Sequence, residues 1–370
     1  MARVNPQCPS SLRGGLVLNV SNDLNIWNEW NSRSAVILRA PRCKLPASTE
    51  MPGGPKIKIL VAESSGFSSE AASLLREYGD VILADLDRAG LLSEIKEAEV
   101  LWVRLRHRID VEVMAAGRRL KMIVTPTTGL NHIDLAEAER RCIKVLSLQG
   151  ETEFLNDIRA TAEHTIGLML ALLRRVPAAV SHVRQGNWDR DQFKGRELFG
   201  KTIGIVGYGR LGRIVAKYLR AFDVRILVTD PHIDQKSISS GIVAASLDDL
   251  LQNSDIVTLH VGLSDRTRGF FGKEQFSKMK PGAWFINTAR GELIDETALL
   301  EALRSGRLGG AALDVLCEEQ QIVVENHPLI AYARQHDNLL ITPHIGGGTV
   351  ESVEKTEMFM AKKLCAVLLG

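Results

Sequence analysis

The chain has 370 residues, 45% of them hydrophobic, and a formal net charge of +2. That length suits two domains of ordinary size, and near-neutrality gives no general attraction to nucleic acid or to an anionic membrane. The longest purely apolar run of the body, residues 166–173, is far too short to span a bilayer, and the five scattered cysteines form no C-x-x-C pair, which suits a reducing cytosol better than a disulfide framework or a zinc site.

Residues 1–55 are rich in Asn, Ser, Pro and Arg without a sustained period, so they read as a poorly ordered N-terminal extension, or as upstream sequence ahead of a natural start near Met51. From Lys56 strands alternate with helices. "KIKILVAES" reads as a strand, "SSEAASLLREYG" as a helix and "DVILAD" as a strand; "AGLLSEIKEA", "EVLWVR", "DVEVMAAGRRL", "KMIVTPTTG", "DLAEAERRC" and "IKVLSL" continue the alternation. A long apolar helix is expected over roughly 157–175, stopping near Pro177 and bridging two domains. A second α/β series starts at Lys201 and runs to about Pro343, and residues 349–369 read as one amphipathic helix. The fold class is therefore α/β, with two Rossmann-like, doubly wound parallel-sheet domains and a cleft between them.

"KTIGIVGYGRLGRIVAKYLRAF" places Gly207, Gly209 and Gly212 in G-x-G-x-x-G spacing, after a β-branched run and at the opening of a helix. In that context the first glycine allows the tight turn, the second lets backbone approach a pyrophosphate, and the third permits close helix–strand packing. The residues between them, Tyr208, Arg210 and Leu211, belong to the same turn, where a helix N-terminus offers free N–H groups to phosphate oxygens. Asp230 ends the next apolar run, 18 residues after Gly212. A carboxylate there accepts hydrogen bonds from ribose hydroxyls and repels a 2′-phosphate, so the expected cofactor is NAD.

Further strand ends are unusual. "GAWFINTARGELID" presents Arg290, "LGGAALDVLCEEQ" presents Asp314 and Glu319, and "DNLLITPHIGGGT" presents His344 before three glycines. Ligands bind outside the carboxyl ends of strands in such sheets, so Arg290, Glu319 and His344 are expected to converge on one crevice. Arginine grips a carboxylate through two parallel hydrogen bonds, histidine moves a proton near neutral pH, and a carboxylate beside the imidazole orients it. No histidine spacing suggests a metal; His132 and His164 read as structural.

These motifs, with "GLNHIDL" (129–135) and "TAEHTIGLMLALLRR" (161–175), resemble the D-isomer-specific 2-hydroxyacid dehydrogenases, the family that includes phosphoglycerate dehydrogenase; the likeness covers nearly everything from Lys56 onward. The resemblance implies an NAD-dependent enzyme interconverting a D-2-hydroxy acid and a 2-oxoacid, such as 3-phosphoglycerate and phosphohydroxypyruvate or the hydroxypyruvate and glyoxylate couples. It implies that Arg290 holds the substrate carboxylate and keto oxygen, that His344 is the acid–base, and that Glu319 pairs with it. Asp314 would bond the nicotinamide carboxamide, while His260, Thr267, Thr288, Ala289, Gly346 and Gly347 would line the cofactor groove. Arg104, Arg106, Thr128 and Gly129 would meet the substrate together with Arg290. By the same resemblance, residues 56–155 with 346–370 form a substrate-binding, flavodoxin-like domain and 156–345 the NAD-binding domain. It also implies hinges near residues 155 and 345 and a homodimer.

The chain departs from the family in two places. Gln320 stands where a proline usually follows the glutamate, and "LQGETEFLNDIRATAEH" (148–164) replaces a shorter segment at the expected hinge. The alternating Arg104, Arg106 and Arg108 fit either an anionic substrate or a solvated basic loop. An NAD(H)-sensing, corepressor-like interaction protein with little turnover is the alternative function for such a chain.

Overall fold

The structure, a computed structural model, describes residues 56–233 and 238–369; the expectations for residues 1–55 lie outside them. Strands β1 (Ile57–Val61), β2 (Gly79–Leu83), β3 (Val100–Trp102), β4 (Met122–Val124) and β5 (Lys144–Leu146) form a five-stranded sheet in the order β2-β1-β3-β4-β5. Every pair is parallel. The connecting helices are α1 (Ser69–Tyr78), α2 (Arg88–Glu94), α3 (Val111–Ala116) and α4 (Leu135–Arg140). Each starts where a short polar side chain accepts from a free backbone N–H of the first turn: Ser68, Asp87, Asp110 and Asp134.

The bridging segment differs from the single helix expected there. A short α5 (Thr152–Leu155) precedes α6 (Ala160–Leu173), and α7 (Val176–Arg184) follows directly. Arg175 takes a left-handed φ of 52° between them, and Pro177 falls in the first turn of α7. A proline lacks the N–H that a first turn leaves unbonded, so Pro177 starts a helix where it was expected to stop one.

The second sheet has seven parallel strands: β6 (Thr202–Val206), β7 (Arg225–Thr229), β8 (Ile242–Ala244), β9 (Ile256–Leu259), β10 (Ala283–Asn287), β11 (Leu308–Leu313) and β12 (Leu339–Ile341). Their order is β12-β11-β10-β9-β6-β7-β8, so strand order reverses at β6, between β7 and β9. The helices around it are α8 (Arg210–Leu219), α9 (Leu247–Asn253), α10 (Lys273–Lys278), α11 (Glu296–Arg304) and α12 (Pro328–Ala333).

Parallel sheets need cover on both faces, and four buried clusters supply it here. Phe271, Phe276 and Phe285 pack with α11 on one face of the larger sheet; Leu168, Met169 and Leu172 of α6 pack with Val215 and Leu219 of α8 on the other. On the smaller sheet Leu60, Leu101 and Ile123 face Leu91 and Val113. The opposite face carries Ile59, Val61 and Trp102, and it is covered partly by the last helix, α13 (Val350–Leu369), through Met360, Ala361 and Leu364. Burying a leucine of that kind stabilises the fold by about 1.5–3 kcal/mol. The chain thus leaves the first sheet after β5 and returns to it beyond β12.

Candidate active site

The glycine turn occupies the reversal point. Gly207 has φ +94°, and a Cβ there would lie 2.6 Å from the carbonyl oxygen of His260, at the end of β9. Gly212 packs so closely under Gly207 that a Cβ would collide with its carbonyl oxygen. Gly209 faces open space, with no atom within 4 Å of the position a Cβ would take. That is the opening a pyrophosphate requires at the start of α8, where unbonded N–H groups and the positive end of the helix dipole meet. Asp230, just past β7, accepts from Tyr208 N at 2.8 Å and from His232 N at 2.8 Å, so its carboxylate braces the turn and caps its own loop.

Not every residue expected around the cofactor offers its side chain. Arg210 turns its guanidinium toward the bridging segment and donates to the carbonyl oxygens of Leu155 (2.9 Å) and Ile158 (3.0 Å). Burial, helped by nearby Arg159, lowers its pKa. Thr267 donates to Gly262 O at 2.8 Å and accepts from Ser264 N at 2.7 Å, so it shapes the loop after β9. The Thr288 hydroxyl pairs with that of Thr165 at 2.8 Å. His260 is held beside Thr258 Oγ1 at 3.0 Å, and burial pushes its pKa down to about 4, which leaves the ring neutral at pH 7. Leu211, in the first turn of α8, packs partly buried against the α6–α8 core.

The carboxyl ends of β10, β11 and β12 converge as expected. His344 Nδ1 donates to Glu319 Oε1 at 2.5 Å, and both side chains keep about a fifth of their surface exposed (20% and 18%). His344 itself adopts φ +53°, an uncommon conformation for a residue with a Cβ, while its N–H donates to Asp314 O at 2.8 Å. The buried Asp314 carboxylate holds the next turn of chain: Oδ1 accepts from Ile345 N (2.9 Å) and Thr342 Oγ1 (2.6 Å), and Oδ2 from Gly346 N (2.7 Å). A Cβ at Gly346 would come within 2.7 Å of that same Oδ2, whereas Gly347 has nothing nearer than Thr161 Oγ1 at 4.0 Å. The glycines after His344 therefore let the backbone close onto Asp314.

Arg290, after β10, donates to the carbonyl oxygen of Ala289 at 2.6 Å. Burial lowers its pKa, and the carboxylates of Glu319 and Glu292 act in the opposite sense. Across the crevice its guanidinium lies against Gly129, where any Cβ would collide with it. Burial lowers the pKa of nearby His132 to about 4, and the charge of Arg290 adds to the effect. His132 is wholly buried, its Nε2 is 3.4 Å from Thr125 Oγ1, and Thr127 Oγ1 in turn donates to Gly129 O at 2.8 Å. His164 also belongs here, with Nε2 3.2 Å from Asp314 Oδ1. Both histidines read as merely structural in the sequence. His164 lies in the first turns of α6 with Thr161 one turn before it, a polar end on a largely buried helix, and that was the available signal.

The loop after β3 is held by ion pairs. Arg104 does not face the crevice as a free cation. Its guanidinium bonds Glu357 of α13, a fully buried carboxylate, and donates to Ser65 O (2.8 Å) and Gly66 O (3.3 Å). Glu357 also accepts from Ser68 N at 2.7 Å, and burial pushes its pKa up. Arg104 therefore clamps its loop to the last helix. Arg106 pairs with Asp85 at 2.6 Å, both half-exposed, and Thr128 is exposed. The backbone of the loop is held by buried Glu63, which accepts from Arg104 N (3.1 Å) and Arg106 N (3.3 Å). A cavity of about 990 Å³ opens beside the His344–Glu319 pair, with Leu105, Arg106, Ile322 and Thr342 among its walls.

A dinucleotide turn at the reversal of a doubly wound sheet, with a histidine–carboxylate pair and an arginine at the neighbouring strand ends, defines a nicotinamide-dependent dehydrogenase. Residues 166–346 match the family model for the NAD-binding domain of D-isomer specific 2-hydroxyacid dehydrogenases. The chain is 40% identical over 309 residues to a glyoxylate reductase of Thermofilum pendens, covering 80% of this chain and 88% of that protein. It is 37% identical over 317 residues to a D-3-phosphoglycerate dehydrogenase of Archaeoglobus fulgidus, covering 85% of this chain but only 58% of that longer relative. A crystal structure of D-lactate dehydrogenase from Aquifex aeolicus, complexed with NAD and lactic acid, superposes with a TM-score of 0.72 at 29% identity, over 84% of this chain and 95% of that one. The chain belongs to the D-isomer-specific 2-hydroxyacid dehydrogenase family, and its cofactor is NAD.

Proposed function

We propose that the protein interconverts a small, unphosphorylated 2-oxoacid and its D-2-hydroxy acid, with glyoxylate and hydroxypyruvate as the leading substrates. The observation that carries this reading is the 2.5 Å bond from His344 Nδ1 to Glu319 Oε1 in the same crevice as Arg290. Bonding at Nδ1 leaves Nε2 as the nitrogen that exchanges a proton with substrate. NAD, when bound in its reduced form, supplies a hydride to the carbonyl carbon. His344 gives its Nε2 proton to the carbonyl oxygen, and Glu319 stabilises the imidazolium before that transfer and fixes the ring's orientation throughout. Arg290 binds the carboxylate, and the buried site strengthens that attraction. The turn at Gly207, Gly209 and Gly212 holds the pyrophosphate, Asp230 the adenosine ribose, and the free face of the Asp314–Gly346 turn the nicotinamide end. In this reading residues 56–155 with α13 present the substrate loops and residues 156–345 hold the cofactor.

Two features favour a small acid over a phosphorylated one. Arg104 and Arg106 are already paired with Glu357 and Asp85, so the basic loop has less charge to give a phosphate. The glyoxylate reductase is also matched over most of its length, unlike the phosphoglycerate dehydrogenase. The test follows NADH absorbance with glyoxylate, hydroxypyruvate, pyruvate and phosphohydroxypyruvate, with His344→Ala as control. Turnover of glyoxylate or hydroxypyruvate, lost in the variant, is expected. A preference for phosphohydroxypyruvate refutes the substrate assignment, and bound NADH with no turnover refutes the enzymatic one.

A further inference from the structure

The carboxylate that orients His344 lies on an irregular segment. Glu319 opens a single 3₁₀ turn, Glu319–Gln321, directly after Glu318, whose φ is +50°. Upstream the segment is tied down where Cys317 N donates to Glu296 Oε1 at 2.7 Å. One residue past Glu319, Gln320 reaches across the crevice, and its Nε2 donates to the carbonyl oxygen of Leu105 at 3.3 Å. That acceptor is immobilised on both sides, since Glu63 holds the N–H groups of Arg104 and Arg106, and Arg104 is clamped to Glu357. Beyond Arg290, a second bond crosses the same gap from Asn131 Nδ2 to Glu292 Oε1, also at 3.3 Å.

We infer that Gln320 is a positioning residue: its carboxamide latches the turn carrying Glu319 to the substrate loop, so that Glu319 is aligned on His344 only when the crevice is closed. This rests on reading His344 and Glu319 as the proton-transfer pair. The physical reason is leverage. Gln320 shares a peptide bond with Glu319, and its partner lies in the loop that follows β3 of the other sheet. A proline at 320 has no side-chain donor and would align the turn independently of closure. With Gln320 the bond exists only when the two sheets' loops meet, which makes closure a condition of proton transfer.

The experiment compares the wild type with Gln320→Met, which removes the donor at similar volume, and Gln320→Lys, which restores one. Steady-state glyoxylate reduction, NADH affinity by fluorescence and hydrogen exchange of peptides spanning 103–109 are measured, the last with and without NADH plus oxamate. Gln320→Met is expected to lower kcat about threefold to tenfold, with NADH affinity and the unfolding midpoint unchanged. Ligand-induced protection of 103–109 disappears in Gln320→Met, and Gln320→Lys recovers part of both effects. If Gln320→Met does not fold, Gln320→Glu takes its place, presenting oxygens only to the Leu105 carbonyl. Wild-type kcat and wild-type protection in the donorless variant overturn the latch, as does a loss of kcat that merely tracks a loss of stability. A wild type that turns over no 2-oxoacid defeats the proposed function instead, and the exchange comparison then decides the latch without turnover.

Discussion

Replacing Arg104 by methionine removes the charge facing Glu357 while keeping most of the side-chain length. Glu357 has no exposed side-chain surface, and Arg104 retains only 25% of its own. Truncating one partner of a buried pair leaves the other as an uncompensated buried charge, which costs about 3–5 kcal/mol. At about 2–4 °C per kcal/mol for a large domain, the melting temperature falls by roughly 10 °C. The pH dependence carries its own signature. Burial already raises the Glu357 pKa, and Arg104 is one of the groups that pull it back, so Arg104→Met raises it further. A carboxyl with a raised folded pKa takes up a proton more readily in the folded than in the unfolded state, so its unfavourable contribution grows as pH rises through that range and shrinks as pH falls. The deficit of Arg104→Met should therefore be largest at neutral pH and smaller near pH 5, and adding Glu357→Gln should recover most of it. Urea unfolding at both pH values measures this, alongside KM for glyoxylate. A large rise in KM with unchanged stability would refute the clamp and return Arg104 to the substrate.

Gly346→Ala places a methyl 2.7 Å from Asp314 Oδ2 and should push the His344 turn outward; a loss of kcat/KM of roughly tenfold to a hundredfold is expected in steady-state assays of NADH oxidation. Glu319→Gln keeps the shape of the pair but removes the charge that stabilises the imidazolium, and the reduction rate should fall about 10- to 100-fold; an unchanged rate would dismiss the pairing. His132 and His260 are both held neutral, with pKa values lowered to about 4. The unfolded chain takes up those protons below about pH 6.5, so each contributes stability that is present above that value and is lost as pH falls toward 4, on the order of 3 kcal/mol for each histidine. Denaturant titrations at pH 7.5 and 5 should show a shallower acid loss in His132→Asn than in the wild type, and equal slopes would disprove the shift.

Much of this architecture was legible because parallel strands advertise themselves. An apolar β-branched run that stops at a glycine, an aspartate, an arginine or a histidine is a strand end at a crevice, and Gly207, Asp230, Arg290 and His344 all stand at such ends. What stayed hidden was pairing across distance. The three alternating arginines of the 104–108 loop look alike in sequence, and the carboxylate that claims Arg104 lies 253 residues away on the last helix. Pro177 was misjudged because a proline can close one helix or open the next, and only the left-handed Arg175 decides between them. The role of Asp314 was half visible: its position at the end of β11 was plain, but the turn it grips depends on the fold.

The last helix has a consequence for how the molecule is made. Glu357 of α13 accepts from Ser68 at the start of α1, a contact spanning 289 residues, and Met360 and Leu364 cover part of the first sheet to be synthesised. At ordinary translation speeds the interval between the two ends of that contact is some 15–60 s. Through that interval Ile59, Val61 and Leu75 have only the part of their cover that earlier residues such as Leu146 and Leu155 supply, while the seven-stranded sheet in between has all its strands available to assemble. The first sheet to be made is therefore the last to be fully sealed, and a ribosome that stalls late releases a finished cofactor domain joined to a partly open, aggregation-prone sheet.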